Sequence, residues 1–261
     1  MRRKRDPRSL SVRSELDDAI AHFATSHVSR LRDLASHYGR LTDFQLEEFA
    51  QYSRSQIFQD LFVLCETQFK TDGYFVEFGA MDGLHLSNTH LLEKRLGWTG
   101  ILAEPARFWQ QSLALNRSAR IDQSCVWRSS GETLLFNEVT GPDGTDQGIS
   151  TIDEFSDVDC HAERRLYGTK YEVESISLED LLVKHGAPRT IDYLSIDTEG
   201  SELAILEAFN FDRFDVQIIT CEHNFSASRE KVAELLNGNG YREVLKNLSL
   251  WDGWFIRDVS A

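Results

Sequence analysis

Residues 74–83 read YFVEFGAMDG, and this stretch decides the fold. Five mostly apolar residues, Tyr74 to Phe78, are followed by Gly79 and Gly83. A short apolar run that ends at glycine predicts a buried β-strand, and a glycine turn lets a ligand approach the backbone closely. Residues 190–200, which read TIDYLSIDTEG, repeat the arrangement of an apolar strand that ends in a polar turn. Both stretches are therefore predicted to present polar groups at the edge of a sheet.

Helical patterns alternate with the predicted strands along most of the chain. The apolar spacing predicts helices near 86–96, 107–116, 178–186, 201–209 and 229–236, and further strands at 100–103, 216–221, 241–245 and 251–256. Strands that alternate with helices favour a parallel sheet with helices on both faces. The sequence therefore predicts the α/β class.

The chain divides into two regions. Residues 1–52 are predicted to form a basic tail and an N-terminal helical section, because Leu16, Ile20 and Phe23 recur at helical spacing. Residues 53–261 are predicted to form the α/β domain. Within that domain, residues 140–170 show no steady period, begin with a glycine- and proline-containing turn, and predict a long irregular surface excursion.

The charge balance bears on the partners of the protein. Lys and Arg number 28 and Asp and Glu number 42, so the formal net charge is −14. An acidic surface repels phosphate backbones, and nucleic acid is not expected as a partner. The first 13 residues are an exception, since six basic residues against Asp6 give them a net charge of +5. This tip is interpreted as a solvated terminus, with a weak tether to an anionic surface as the alternative.

Hydropathy and cysteine usage bear on the location of the protein. No apolar run approaches the roughly 18 to 20 residues of a membrane helix, and no apolar segment of a secretory signal follows the basic tip. The four cysteines lie far apart and form no C-x-x-C pair, so buried reduced thiols are expected rather than a zinc or redox site. We expect a cytoplasmic protein without a membrane span.

Polar residues gather where the predicted strands end. In an open α/β sheet, ligands bind outside the carboxyl ends of the strands, at the point where the strand order reverses. That rule selects Glu77 to Gly83, Glu104, Cys125, Asp197 to Gly200 and Glu222 to Asn224. We expect these residues to surround one cleft.

The turn at Gly79 and Gly83 is not a phosphate-binding loop. Met81 stands where the second glycine of G-x-G-x-x-G would be, and no Walker lysine follows. An acid at a strand end pairs with an ammonium group, and Glu104, 25 residues beyond Gly79, stands where an acid receives a ribose diol. These features suit a nucleoside that bears an amino acid and no phosphate, such as S-adenosylmethionine. A nicotinamide cofactor is a distant alternative.

Several short motifs resemble those of the FkbM family of S-adenosylmethionine-dependent methyltransferases, over about residues 53 to 256. The motifs follow one another along the chain in the order that they have in the family. They are Ser55-Gln56-x-x-Gln59-Asp60, Glu77-x-Gly79-Ala80-x-Asp82-Gly83, Ser87-Asn88-Thr89, Leu92-Glu93, Gly97-Trp98-x-Gly100, Glu104-Pro105, Asp192 to Gly200 with Glu202, and Glu222-His223-Asn224.

The resemblance implies a Rossmann-like class I methyltransferase fold, with a mostly parallel sheet, helices on both faces, an antiparallel strand near the C-terminus and extra N-terminal helices. It also implies that three groups of residues bind S-adenosylmethionine. Those around the methionine end would be Gln56, Glu77, Gly79, Ala80, Asp82, Gly83, Ser87 and Asn88, with Asp197 beside them; those at the ribose would be Glu104 and Pro105; those near adenine would be Ser124 and Cys125.

Transfer to a hydroxyl needs a base for the hydroxyl proton. Asp197, at a strand end, is the first candidate, and Glu199, Glu222 and His223 are the next. Two structural alternatives remain: Asp197 as a cap of the following helix and His223 as a satisfied core histidine. A divalent cation held by Asp197, Glu199, Glu202 and Glu222 is a further alternative, but no metal is expected.

The resemblance implies transfer of a methyl group to a hydroxyl, most often on a sugar, a glycan or a glycosylated metabolite. The expected partner is therefore a hydroxylated acceptor, and the N-terminal helices offer a surface for a homodimer. The alternative is a non-catalytic scaffold or recognition module that retains the fold. Polar groups kept together at one cleft favour the enzyme.

Overall fold

The computed structural model describes residues 29–39, 46–140 and 147–258. The basic tip and the predicted repeat of Leu16, Ile20 and Phe23 lie outside the described residues. Within them, three helices precede the first strand: residues 29–38 (α1), residues 46–50 (α2) and Gln59–Glu66 (α3). Arg30 of α1 is buried and donates to the backbone carbonyls of Ile57 and Leu248, which joins the N-terminal helices to the domain.

The remaining elements follow in the predicted alternation. The strands are β1 (Tyr74–Phe78), β2 (Thr99–Ala103), β3 (Arg120–Asp122), β4 (Cys125–Trp127), β5 (Thr133–Glu138), β6 (Thr151–Ile152), β7 (Thr169–Ser177), β8 (Thr190–Ile196), β9 (Asp215–Glu222), β10 (Tyr241–Val244) and β11 (Asp252–Arg257). The helices are α4 (His90–Leu96), α5 (Gln110–Asn116), α6 (Ala162–Arg165), α7 (Leu178–Lys184), α8 (Glu202–Ala208) and α9 (Arg229–Gly238), and single 3-10 turns cover Gln147–Ile149 and Asp153–Phe155.

Seven of the described strands form the main sheet, in the order β10-β11-β9-β8-β1-β2-β3. Strands β3, β2, β1, β8 and β9 are parallel, and β11 runs antiparallel to both β9 and β10. The chain proceeds outward from β1 to β3 on one side and from β8 to β9 on the other. The strand order therefore reverses between β1 and β8, and this reversal opens a crevice at their carboxyl ends.

Hydrophobic clusters cover both faces of the main sheet. One cluster packs Leu61 and Phe62 of α3 and Leu91 of α4 against one face. The other packs residues of α7, α8 and α9, including Leu181 and Leu206, against the opposite face. Burial on both sides explains why the central strands read as continuous apolar runs rather than as alternating ones. The predicted α/β architecture, including its antiparallel strand near the C-terminus, is confirmed.

A second sheet, in the order β4-β7-β5-β6, was not predicted. Its longest strand, β7, alternates between half-buried or buried side chains and exposed charged ones, and this period was obscured by the many acidic residues around it. The segment predicted as an irregular excursion contains the two 3-10 turns, β6 and α6 within its described part. It also carries the buried residues Ile149, Thr151, Ile152 and Arg165, so it packs against the domain rather than lying only on its surface.

Some predicted boundaries differ from the observed ones. Helix α4 begins at His90 rather than near Leu86, because Leu86 adopts a left-handed backbone with φ of 56° and the turn after it is held by side-chain hydrogen bonds. The predicted helix start at Ser177 is confirmed, since its hydroxyl accepts a hydrogen bond from the Asp180 amide. No helix in the described ranges is long and apolar enough to cross a membrane.

Candidate functional site

A cavity of about 320 Å³ opens at the carboxyl ends of β1, β2, β8 and β9, where the strand order reverses. Ten of the residues predicted for the site line it: Gln56, Glu77, Gly79, Asn88, Glu104, Pro105, Cys125, Asp197, Glu199 and Glu222. These residues are separated by up to 166 positions in the sequence, from Gln56 to Glu222, and parallel pairing of the strands brings them together.

Six predicted residues do not line this cavity: Ala80, Asp82, Gly83, Ser87, Ser124 and His223. The Asp82 carboxylate accepts hydrogen bonds from the amides of Leu84 at 2.9 Å and His85 at 2.7 Å, and so holds the turn after β1. Ser124 lines a separate open groove beside β3. Ser87 donates to Glu77, which does line the cavity.

Gly79 brings the turn after β1 against the end of β8. Its backbone is left-handed, with φ of 71°, and a Cβ added there would lie 1.9 Å from the carbonyl oxygen of Asp197. Only glycine fits such a conformation at such a distance. The predicted role of this position in close backbone approach thus has a definite partner, the Asp197 backbone.

Glu77 is engaged by the turn that precedes α4. Its Oε1 accepts a hydrogen bond from the Asn88 amide at 2.7 Å, and its Oε2 accepts from the hydroxyls of Ser87 and Thr89. The fully buried Arg117 lies 3.6 Å from Oε2 and donates to both hydroxyls. Nothing in the spacing of the sequence pointed to Arg117, because its role depends on side-chain contacts that lie 24 or more positions away.

Asn88 presents an unpartnered oxygen at the cavity. Its Nδ2 donates to the Ser195 hydroxyl at 3.0 Å, whereas its Oδ1 is buried and has no hydrogen-bond partner. A buried acceptor without a partner is unfavourable by about 1–3 kcal/mol. Asn88 therefore fits a ligand that carries hydrogen-bond donors, such as an ammonium group.

Glu104 joins the end of β2 to the turn after β1. Its two carboxylate oxygens accept hydrogen bonds from the amides of Met81 and Ala106, each at 2.8 Å. Burial raises the pKa of Glu104 to about 7, although the two backbone donors oppose the shift. A carboxylate has about four acceptor positions, so the two that remain suit the two hydroxyls of a ribose.

Three acids lie together at the ends of β8 and β9. Asp197, Glu199 and Glu222 each place a carboxylate oxygen within 4.8 Å of the other two. Burial, followed by the Asp252 charge, raises the pKa of Asp197 to about 7. Burial and the Asp197 charge also raise the pKa of Glu222. Such crowding of carboxyls favours a state in which they share protons.

Glu202, the fourth acid of the cation alternative, is held elsewhere. Its carboxylate accepts hydrogen bonds from the amides of Thr198 and Gly200 at 3.0 Å and from the Thr198 hydroxyl. Glu202 thus holds the loop that precedes α8, and the N-cap residue of that helix is Ser201 rather than Asp197. This arrangement leaves the Asp197 side chain at the cavity wall.

His223 does not reach the cavity. Its Nδ1 accepts a hydrogen bond from the Phe225 amide at 3.0 Å, and burial, followed by the Arg229 charge, lowers its pKa to about 3. A histidine with so low a pKa is a weak base. His223 is therefore buried away from the cavity, as in the structural alternative, but it is only partly satisfied, because its Nε2 has no hydrogen-bond partner.

The segment 147–168 supplies a wall that the sequence did not predict. Residues Gly148, Ile149, Ser150, Ile152, His161 and Arg164 of this segment line the cavity opposite the strand ends. A surface excursion was expected because the apolar residues of this segment show no helical or strand period. The absence of such a period does not indicate which part of the domain the segment packs against. Its place over the strand ends is a consequence of tertiary contacts.

The chain is similar to one family model and to a solved structure. A family model described as "Methyltransferase FkbM domain" matches residues 77–247. The solved structure of a precorrin-6y C5,15-methyltransferase from Geobacter metallireducens GS-15 is 11% identical, with a TM-score of 0.39, and the alignment covers 76% of this chain and 85% of that one. No curated protein sequence matches the chain.

Proposed function

Since the chain belongs to the FkbM methyltransferase family, we propose that it transfers a methyl group from S-adenosylmethionine to a hydroxyl on a sugar, a glycan or a glycosylated metabolite. The family and its class I methyltransferase fold support methyl transfer from an S-adenosylmethionine-type donor. The observation that supports a hydroxyl acceptor is Asp197, an ionisable carboxyl at the cavity wall whose pKa lies near 7.

The residues present fit the cofactor. Asn88 Oδ1 offers a buried acceptor to the ammonium group, and Glu104 offers its free acceptor positions to the ribose hydroxyls. Cys125 and the neighbouring Trp109 provide an apolar wall for a planar base. Gly79, which also lines the cavity, packs against the Asp197 backbone and so holds the two strand ends together beside the place proposed for the methionine portion. S-adenosylmethionine, when bound there, supplies a methyl group activated by a sulfonium.

Asp197 is the proposed general base. As the acceptor oxygen forms its bond to the methyl carbon, its proton passes to the Asp197 carboxylate, and the bond from carbon to sulfur breaks. A base is most effective when its pKa lies near the working pH, and burial places Asp197 there. Burial and the Asp197 charge raise the pKa of Glu222, and the hydrogen bond from Glu222 to Asp197 favours the ionised form of the base.

Positioning contributes more than charge in this reaction. The positive charge on sulfur is lost in the transition state, so a carboxylate that contacted the sulfur would stabilise the reactant more than the transition state. The chain is therefore expected to hold the acceptor oxygen in line with the methyl group. The segment 147–168, which faces the strand ends across the cavity, is the part of the chain suited to contact the acceptor.

A non-catalytic scaffold is the second candidate. It is disfavoured because several buried acids with raised pKa, including Glu104, Asp197 and Glu222, converge on one cavity at a cost to stability. A protein that needs only the fold would not benefit from buried acids that lower its free energy of unfolding.

Calorimetric titration with S-adenosylhomocysteine, beside NAD, tests the proposal. We expect micromolar binding of the homocysteine compound by the wild type, none of NAD, and loss of binding in Glu104→Ala and Gly79→Val. Gly131→Val is the matched control, because Gly131 has φ of 78° and no heavy atom within 4 Å of its added Cβ. Absence of binding by folded wild type, or equal binding by all variants, would favour the scaffold.

A further inference from the structure

Arg165 is a fully buried cation that lies behind the cavity wall. Its side chain is 0% exposed, although α6, which carries it, belongs to the segment 147–168 at the outside of the domain. A buried guanidinium is rare unless it is paired and hydrogen-bonded. Arg165 itself does not line the cavity, whereas its partner Glu199 does.

The guanidinium joins two parts of the chain. On its own segment, Nε donates to the carbonyl of Ile149 at 2.7 Å and Nη1 donates to Asp159 Oδ1 at 2.7 Å. On the strand-end loop, Nη2 donates to Glu199 Oε2 at 2.8 Å. Arg165 thus hydrogen-bonds to two residues that line the cavity. Ile149 belongs to the segment 147–168, and Glu199 follows the end of β8.

Two further contacts converge on the same loop. The Thr151 hydroxyl donates to the backbone carbonyl of Glu199 at 2.9 Å, and the Phe155 side chain lies 3.0 Å from the position of a Cβ added at Gly200. Glu199 adopts a left-handed backbone with φ of 60°, which is unfavourable for a residue with a side chain. Its conformation therefore depends on the contacts that surround it.

Several acids surround Glu199, and Arg165 supplies a positive charge that pairs with it. The acids that face Glu199 are Asp159 from the segment, Asp197 and Glu202 from its own loop, and Glu222 from β9. Arg165 opposes the electrostatic repulsion among them by pairing with both Glu199 and Asp159. Without the guanidinium, the Asn224 amide at 3.4 Å would still donate to Glu199 Oε2, but the repulsion from the neighbouring acids would displace the Glu199 side chain.

We infer that Arg165 is a positioning residue for the methyl-transfer site: it acts through Glu199 and holds the segment 147–168 against the loop that carries Asp197. The inference rests on the proposed function. The segment is then a wall of the cavity that the buried Arg165–Glu199 ion pair holds in place. The shape of the cavity depends on Arg165, which contacts neither the cofactor nor the acceptor.

The test combines calorimetry with S-adenosylhomocysteine and hydrogen exchange on the full chain. We expect Arg165→Gln to raise the dissociation constant about tenfold and to increase exchange in 147–168 and 197–201, but not in β1 and β2. Arg165→Lys, which retains the charge, should restore most of the affinity. In a Glu199→Gln background, Arg165→Gln should change the dissociation constant by less than about twofold.

Other outcomes overturn the inference. If Arg165→Gln raised the dissociation constant as much in the Glu199→Gln background as in the wild type, Arg165 would act through Asp159 or through the fold in general. If Arg165→Lys did not restore binding, the charge of Arg165 would have no role. If Arg165→Gln does not fold, Glu199→Gln decides, since unchanged exchange at 147–168 in that variant contradicts the inference. Failure of wild type to bind S-adenosylhomocysteine is distinct, because it refutes the proposed function instead.

Discussion

The Glu104 carboxylate accepts a hydrogen bond from the Met81 amide at 2.8 Å, so the acid at the end of β2 holds the glycine turn after β1. The same carboxyl is the one proposed to receive the ribose. Its environment therefore couples the shape of the turn, the protonation of the acid and the binding of the cofactor.

The first prediction concerns the pH dependence of cofactor binding. Burial raises the pKa of Glu104 to about 7, so the carboxyl becomes protonated as the pH falls below 7 and loses acceptor capacity. We expect the affinity for S-adenosylhomocysteine to decrease between pH 8 and pH 6, with proton release on binding near pH 6.5. Calorimetry in two buffers of different ionisation enthalpy measures that release.

The matched variant for this prediction is Glu104→Gln. It keeps the size of the side chain but removes the titration and turns an amide donor toward the Met81 or Ala106 amide. We expect weaker binding at every pH and a smaller proton release. Proton release equal to that of wild type would show that another group is responsible.

The second prediction concerns the base. Asp197→Asn should lower the rate of methyl transfer about 100-fold or more, since general base catalysis contributes roughly 10² to 10⁴, while S-adenosylhomocysteine affinity changes by only a few fold. Transfer of labelled methyl groups to a panel of hydroxylated glycans measures the rate. Asp212→Asn, at an exposed position outside the cavity, is the control. A rate within threefold of wild type would remove Asp197 from this role.

The third prediction concerns stability. Burial raises the pKa of Glu104, Asp197 and Asp252 to about 7 each, above their values of about 4 in an unfolded chain. The folded state therefore binds more protons than the unfolded state up to pH 7, and the free energy of unfolding decreases as the pH rises through 7. We expect a loss of about 1 kcal/mol per group between pH 6.5 and pH 8, measured by urea unfolding.

Two histidines limit the pH range of that measurement. Burial lowers the pKa of His90 to about 4 and that of His223 to about 3, so their contribution has the opposite sign below pH 6.5. Between pH 6.5 and pH 8 the histidines offset only part of the loss due to the carboxyls, because an unfolded histidine is about half protonated at pH 6.5 and loses that proton by pH 8. A free energy of unfolding that increases over this range would contradict the assigned shifts.

The fourth prediction concerns Arg117. Its side chain is 0% exposed and contacts Glu77, Glu93, Ser87 and Thr89. Arg117→Met leaves the buried Glu77 without its cation and leaves Glu93 paired with Lys94 alone, and we expect it to lower the free energy of unfolding by about 3–5 kcal/mol.

Arg213→Met is the control for Arg117→Met. Arg213 pairs with Glu179 at the surface, and such exposed pairs contribute about 0–1 kcal/mol. Urea unfolding of both variants measures the difference. Equal and small losses would show that the Arg117 network adds little to the stability of the turn before α4.

The order of strands and helices could be predicted because it depends on local patterns. The apolar runs at Tyr74–Phe78 and Thr190–Ile196 reflect burial on both faces of a parallel sheet, and this signal is present in the sequence itself. The strand-end rule then placed Glu104, Asp197 and Glu222 at one cleft. Strand β7 was not predicted, because its alternation of exposed and half-buried side chains is short and lies among acidic residues.

The sequence by itself determined the α/β class, the carboxyl-end cleft and most of the acids that line it, since strand periodicity and glycine turns are local properties. The tertiary structure alone decided which of these acids are free. Glu77 is engaged by Ser87 and Asn88, and Glu202 holds the loop before α8, whereas Asp197 lines the cavity. It also decided that the segment 147–168 lines the cavity and that its Arg165 pairs with Glu199. The physical reason is that hydrogen bonding and burial depend on groups that are distant in sequence, and no local pattern records them.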